Sequence, residues 1–354
     1  MKARKVFVYA QLLVLLVIGF QMPASGIVYV SQSGNDVLNG GTSWADSVLT
    51  IQKGVTLAVG SLDPTVWVAV GTLPPPVVAP IPYVENVVVP ASVAVYGGFQ
   101  GDEPESWPPP VRTLSTIVQP LVAITSTFTA GTGDIIDGFT IENGAAALGA
   151  GVLCIGTSCT FSNDLIQNNT GHLGAGIYAI GASLNVTNCQ FTGNQVTDTA
   201  PPLAAGASIY ATGGSLIVLH STFTNERASV TVTSTDSSRG GAIYSTGATL
   251  VKLDRCVFNS CVANGSTPVV LASGGAAYIT GALTAITNCV FHACAAHGAG
   301  APQPAFGGAI FYQNLGTISI VNNTFVGNAV TPQAGLITDA DRPYGLGGAI
   351  YVTG

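Results

Sequence analysis

One tight cluster of ionisable side chains stands out in a chain of 354 residues: Lys252, Asp254 and Arg255, with His220 at the matching place one repeat earlier. An acid, a base and a guanidinium side by side are groups that could carry out lyase chemistry. The competing reading is a surface ion pair of small energetic weight. That reading is preferred, so no catalytic residue is assigned and these four serve only the alternative. Tyr178, Tyr210, Tyr244, Tyr278 and Phe311, followed by Tyr351, recur once per repeat. They suggest an aromatic strip for glycans or a partner surface, or rings stacked along a sheet, and stacking is favoured. Asp339 and Asp341 offer oxygen ligands for calcium, as do Asp102, Glu103 and Glu105. A solvated loop explains both sets more simply, and no cofactor is expected.

Composition narrows the classes of function. Lys and Arg number 10, Asp and Glu 17, and the net charge is −7. Charged residues make up 8% of the chain, against about 25% in ordinary domains. So few cations cannot neutralise a phosphate backbone, which argues against nucleic acid as a partner. A hydrophobic share of 47% excludes a disordered chain. The 44 glycines follow no three-residue period, which excludes collagen.

Lys2, Arg4 and Lys5 precede an apolar stretch from Val6 to Phe20, and Pro23-Ala24-Ser25-Gly26 supplies small residues before Ile27. Residues 1–26 therefore read as a secretory signal peptide. The stretch is short of the ~20 residues that a spanning helix needs. No later run reaches that length, so the mature segment is expected to have no membrane span. Export to the cell surface, outer membrane or medium would permit disulfides. The seven cysteines are odd in number, so at least one is free or pairs outside the chain.

Residues 27–113 read as an N-terminal cap with the first coils. Ile27–Ser31, Val66–Val70, Val87–Val89 and Val93–Tyr96 alternate as short strands. Ser43 to Asp46 matches a capping box. Trp44, Val48, Ile51, Val55 and Ala58 then fall on one helical face, and Gly60 is a plausible stop.

Residues 114–354 carry a repeat. Gly240-Gly241-Ala242-Ile243-Tyr244 returns at Gly307 and at Gly347, with looser copies at Gly149, Gly174, Gly206 and Gly274. A second marker is Ile166, Phe191, Phe223, Phe258, Phe291 and Phe325. From each Gly marker to the next Ile/Phe marker the distances are 17, 17, 17, 18, 17 and 18 residues. From each of those to the following Gly they are 8, 15, 17, 16, 16 and 22. A fixed arm is what stacked strands demand, because a slip of one residue turns every side chain to the other face. A variable arm is what surface loops tolerate.

Five before the second marker stand Phe161, Val186, Val218, Leu253, Ile286 and Ile320, all apolar. Three before it stand Asn163, Asn188, His220, Arg255, Asn288 and Asn322, which suggests a left-handed bend. Each repeat is too short to bury its own apolar face, so stacking must close the core. The expected fold is all-β, a right-handed parallel β-helix. Cys256 shares a column with Cys289, and Cys261 with Cys294. Inter-coil disulfides and buried thiols packing as small hydrophobes both suit those columns. Thiols are preferred, since stacked strands already hold the coils together.

The alternation of Gly-Gly-Ala-Ile with Phe-x-x-Asn resembles the repeats of chlamydial polymorphic outer membrane proteins and, more broadly, the pectin-lyase-like β-helix superfamily. The match has departures: Glu226, Cys261 and Cys294 stand where Asn recurs and Ile166 where Phe does, and no stretch of these 354 residues is expected to form a C-terminal translocator. The chain also stops at Gly354 partway through a coil, so a continuation or capping partner is expected. The resemblance implies a secreted or cell-surface structural, adhesive or glycan-binding module. Carbohydrate or a surface protein would meet the variable loops 195–205, 227–239, 262–273, 295–306 and 329–346. A polysaccharide lyase or glycoside hydrolase acting on the outer face is the alternative.

Overall fold

The computed structural model describes residues 26–72, 80–104, 112, 115–122, 124–198, 203–230, 237–265, 271–281, 283–298, 305–313, 316–332 and 345–354. The expected signal peptide up to residue 25, Glu105, Asp339 and Asp341 lie outside the described residues. Among those described, no helix is long and apolar enough to cross a membrane.

Strands dominate, and they stack coil upon coil as a parallel β-helix. Three long parallel sheets of 10, 9 and 9 strands run the length of the molecule. The 10-stranded sheet starts at Ile27–Val30 and ends at Ile318–Val321. Like residues pile into columns as the spacing predicts. Val186 pairs Val218, Val218 pairs Leu253, Leu253 pairs Ile286 and Ile286 pairs Ile320. Ile166 and the five marker phenylalanines pair in sequence through the second sheet. Both columns face inward, and every member up to Ile286 and Phe291 is buried. Two coils have a fixed arm of 18 residues, and the first of them accommodates its extra residue in a turn. Thr212 pairs Thr246 and Ser215 pairs Leu250, so the excess lies at 247–249 and strand register survives.

The bends are left-handed, as the Asn column suggests. Asn163, Asn188, His220, Arg255, Asn288 and Asn322 all have φ between 50° and 56°. Gly240 opens the Gly-Gly-Ala-Ile turn at φ 63°, where a Cβ would lie 2.0 Å from the Ile243 carbonyl oxygen. Only glycine fits so close an approach.

Two features differ from expectation. The amphipathic helix starts later than the sequence pattern suggests. Ser43 caps a 3-10 turn over Trp44–Asp46, the chain then extends, and helix α1 spans Ile51–Ala58 behind an N-cap at Thr50. The Asp36 carboxylate accepts from the Leu49 and Thr50 amides, and that of Glu85 from the Ile51 and Gln52 amides. Two anions thus hold the positive end of the helix. Helix α1 plugs the end of the core through Ile51, Gly54, Val55 and Ala58. At Gly54 a Cβ would sit 2.5 Å from Val30, so glycine lets helix and sheet touch. Trp44 leaves the helical face altogether and packs outside, edge-on to Tyr29 at 4.9 Å.

The variable arm is not loop throughout. Its two ends form further parallel sheets of six and five strands, including Gln195–Asp198 with Leu203–Ala205, and Arg227–Val230 with Ser237–Arg239. These sheets pack on each other through small residues such as Val196, Ala204 and Val230. They make a flange along one flank of the β-helix.

Candidate functional site

The outer face of the 10-stranded sheet carries the sequence-predicted cluster at its first corner. Period-2 alternation turns Lys252 and Asp254 outward beside inward Val251 and Leu253. The left-handed bend then projects Arg255, and the coil below projects His220 from the same place. Arg255 Nη1 donates to His220 Nε2 at 3.2 Å. Arginine has no acceptor, so the imidazole must present a bare Nε2. Arg255 Nε lies 3.9 Å from Asp254 Oδ2, a loose ion pair.

Asp254 is engaged from the other side. Its Oδ1 accepts from Thr287 Oγ1 at 2.7 Å and from Asn288 Nδ2 at 2.9 Å. Those bonds, with smaller help from Arg255 and Lys252, hold its carboxyl below the usual carboxylate range. The structure therefore brings His220, Asp254 and Arg255 into one patch, with Lys252 exposed on the same strand. It keeps Asp254 ionised, which suits a positioning anion and not a proton donor.

The same stripe continues toward the N-terminus with a group that sequence reasoning missed. Arg112 Nη2 pairs with Asp137, which also accepts from Ser162 Oγ and Asn163 Nδ2. The guanidinium lies 5.3 Å from both the Tyr96 and Phe99 ring centres. Near the head of the stripe a polar cleft of about 270 Å³ is lined in part by Ser31, Gln32, Trp44 and Gln100. Glu103, one of the candidate calcium ligands, accepts from the Gln100 and Gly101 amides and so closes its own turn.

The aromatic strip is largely covered. Tyr178, Tyr210, Tyr244, Tyr278, Phe311 and Tyr351 stack in order with ring centres 4.7–5.5 Å apart. Tyr244 and Tyr278 are only 6% exposed and Phe311 only 7%. The returning strands of the flange, through Ala205, Leu203 and Phe306, pack over them, and Arg239 caps the Tyr278 ring at 5.1 Å. The rings stack along the ladder, as the favoured reading has it, and the alternative of an open glycan strip is closed off at Tyr244, Tyr278 and Phe311. Tyr178 and Tyr210 stay half-exposed.

Inside the barrel, two polar ladders follow the two bends. At the second bend the Asn194 amide group reaches the Ile166 carbonyl at 2.8 Å, and its oxygen accepts from Asn169 at 3.0 Å. Glu226 enters this ladder fully buried, and burial pushes its carboxyl up to about 8. Asp164 at the first bend is also fully buried, accepts from the Phe139 amide at 2.9 Å, and is raised well above the carboxylate range by burial. Aligning the residue after each left-handed bend would have disclosed this second set: Asp164, Cys189, Ser221, Cys256, Cys289 and Asn323. A disulfide joins Cys154 to Cys159, a pairing that the spacing did not suggest. No group of three or more metal-ligating side chains gathers among the described residues.

A family model for the right-handed beta helix region matches residues 150–352. The chain belongs to that family. Within it, the Gly-Gly-Ala-Ile and Phe markers are the repeating signal, and they lie inside the matched span. The A-module of mannuronan C-5 epimerase AlgE4 from Azotobacter vinelandii is similar over 92% of this chain and 100% of that one. The identity is 12% and the TM-score 0.24. No curated protein matches the chain.

Proposed function

We propose that this β-helix protein is exported and displayed at a cell surface, where it acts as a structural or adhesive module that contacts glycan or surface protein without catalysis. The observation that carries this reading is that the outer-face carboxylates are engaged by their neighbours. Asp137 is taken by Arg112, Ser162 and Asn163. Asp254 is taken by Thr287 and Asn288, and Arg239 by the Tyr278 ring. Such a face is a rigid scaffold whose flange edge is the natural place for contacts. The leader pattern supports export, and the Gly-Gly-Ala-Ile and Phe-x-x-Asn repeats support kinship with chlamydial polymorphic outer membrane proteins.

A second reading, a polysaccharide lyase or glycoside hydrolase, draws on the gathering of Lys252, Asp254, Arg255 and His220 in one patch. Incubation with a panel of acidic and neutral glycans separates the two. Adhesion predicts binding that survives Asp254→Asn with Arg255→Ala and is lost when flange loops are shortened. Cleavage that disappears in that double variant would overturn it in favour of the enzyme.

A further inference from the structure

The sequence repeats Cys-x-Phe-x-x-Cys in consecutive coils, at Cys256 to Cys261 and at Cys289 to Cys294. Phe258 pairs with Phe291 in register, and their rings stack at 4.7 Å with an interplanar angle of 0°. The cysteines sit one at each end of that rung, on the inner side of the two bends. All four are buried and unbridged in the structure.

Their sulfurs occupy the places that amide groups fill elsewhere in the ladders. The Cys256 amide donates to Cys289 Sγ at 3.4 Å, as the Asn169 amide does to Asn194 Oδ1 at 3.1 Å. Cys261 Sγ lies 3.6 Å from the Phe223 carbonyl oxygen and Cys294 Sγ 3.6 Å from that of Phe258. Cys289 Sγ thus faces Cys256 in the coil below, and Cys294 Sγ leans toward the coil that carries Cys261. Stacked parallel strands lie about 4.8 Å apart, within the roughly 4.4–6.8 Å Cα separation that a disulfide spans.

We propose that Cys256–Cys289 and Cys261–Cys294 are two sites of inter-coil oxidation, where an external disulfide converts the facing thiols into covalent clamps at both ends of the Phe258–Phe291 rung. Cys289, as thiolate, attacks one sulfur of the external disulfide and expels the first thiolate. Cys256 then loses its proton, attacks the Cys289 sulfur and expels the second. Each pair gives up two electrons and two protons, and one external disulfide becomes two thiols. Cys294 and Cys261 follow the same course. The Cys154–Cys159 bridge indicates that oxidised cysteine is compatible with this fold.

The test is a thiol count on the full chain, and it does not depend on the function proposed above. Protein is incubated with excess oxidised glutathione while refolding from urea, when the thiols are still open to it. It is then alkylated in denaturant and mapped by mass spectrometry. The expected result is alkylation at Cys189 alone after refolding, with peptides linked Cys256 to Cys289 and Cys261 to Cys294. Alkylation of all four after refolding, or a link from Cys256 to Cys261 within one coil, overturns the proposal. In Cys256→Ser, Cys289 should become alkylatable while Cys261–Cys294 stays bridged. Pairing of Cys289 with Cys294 in that variant would also overturn it.

Discussion

Two aromatic stacks run through the same coils, one inside the barrel and one outside it. The inner rings, from Phe191 to Phe325, stack at 4.6–4.9 Å with tilts no greater than 6°. The outer rings, from Tyr178 to Tyr351, stack at 4.7–5.5 Å and tilt by as much as 21°. The strand register is common to both, so register alone does not explain the difference. The inner stack is held on every side by core residues from all three sheets. The outer stack is roofed by a thin layer of small side chains such as Ala205. Register brings like residues together, and packing on the far side decides how firmly they are held.

The largest expected effect is in the inner stack. Phe258→Ala removes a fully buried ring with two stacked neighbours and should cost about 3–5 kcal/mol in urea unfolding. A loss below 1 kcal/mol would put the inner column on a par with ordinary surface positions and break the comparison.

The inner polar ladder should respond nearly as strongly, but to pH. The Glu226 carboxyl rises in the fold from its ordinary value of 4.5 to about 8 because it is buried. The folded protein therefore binds the extra proton more tightly than the unfolded chain does. The stability that this proton gives is fully present below about pH 4.5, declines between 4.5 and 8, and is lost above about 8. Asp134, pushed up by burial to about 6, and Asp164 act in the same direction. Glu226→Gln supplies a neutral amide where Asn169 and Asn194 already bond through theirs. At pH 9 the variant should be more stable than the parent by about 5 kcal/mol, and near pH 4 the two should nearly coincide. Parallel stability profiles across pH 4–9 would mean that the carboxyl is not buried in this ladder.

Removing one outer ring sharpens the comparison directly. Tyr244→Ala should cost about 2 kcal/mol, less than Phe258→Ala, because its roof can settle onto the gap. An equal cost would make the flange a second core as firm as the first.

The legibility of the sequence divides along the same line. The fixed arm could be read because a one-residue slip would invert whole columns, so Val218, Leu253, Ile286 and Ile320 had to align. The left-handed bends were legible because Asn recurs there. The flange was not legible. Its strands are two to four residues long, and Ala204, Ala272 and Ala305 are small enough to sit in any loop. Their burial comes from two sheets meeting face to face, which no local period records. The covering of Tyr244, Tyr278 and Phe311 followed from that. The late start of helix α1 has a similar cause. Trp44 fits the helical period, but the outer aromatic group of Tyr29, Trp67 and Phe99 offers it a better contact. Of the candidate site, the companionship of His220 with Arg255 was legible from the repeat. The bonds from Thr287 and Asn288 that hold Asp254 come from the coil above and were not.

The smallest expected effect lies on the outer face, at the patch with the most charge. Asp254→Asn loses a loose ion pair with Arg255 but keeps an oxygen that Thr287 Oγ1 can reach. Exposed positions of this kind change stability by no more than about 0.5 kcal/mol, and urea unfolding at neutral pH should place the variant within that margin. The same substitution frees Arg255 and Lys252 from their only close anion among the described residues, so retention on a sulfated or uronic-acid matrix at low salt should rise and vanish again at high salt. A destabilisation above about 2 kcal/mol would mean that the outer ladder holds the coils as tightly as the inner one. The distinction between a core that stacks for stability and an outer face that adds little to it would then fail.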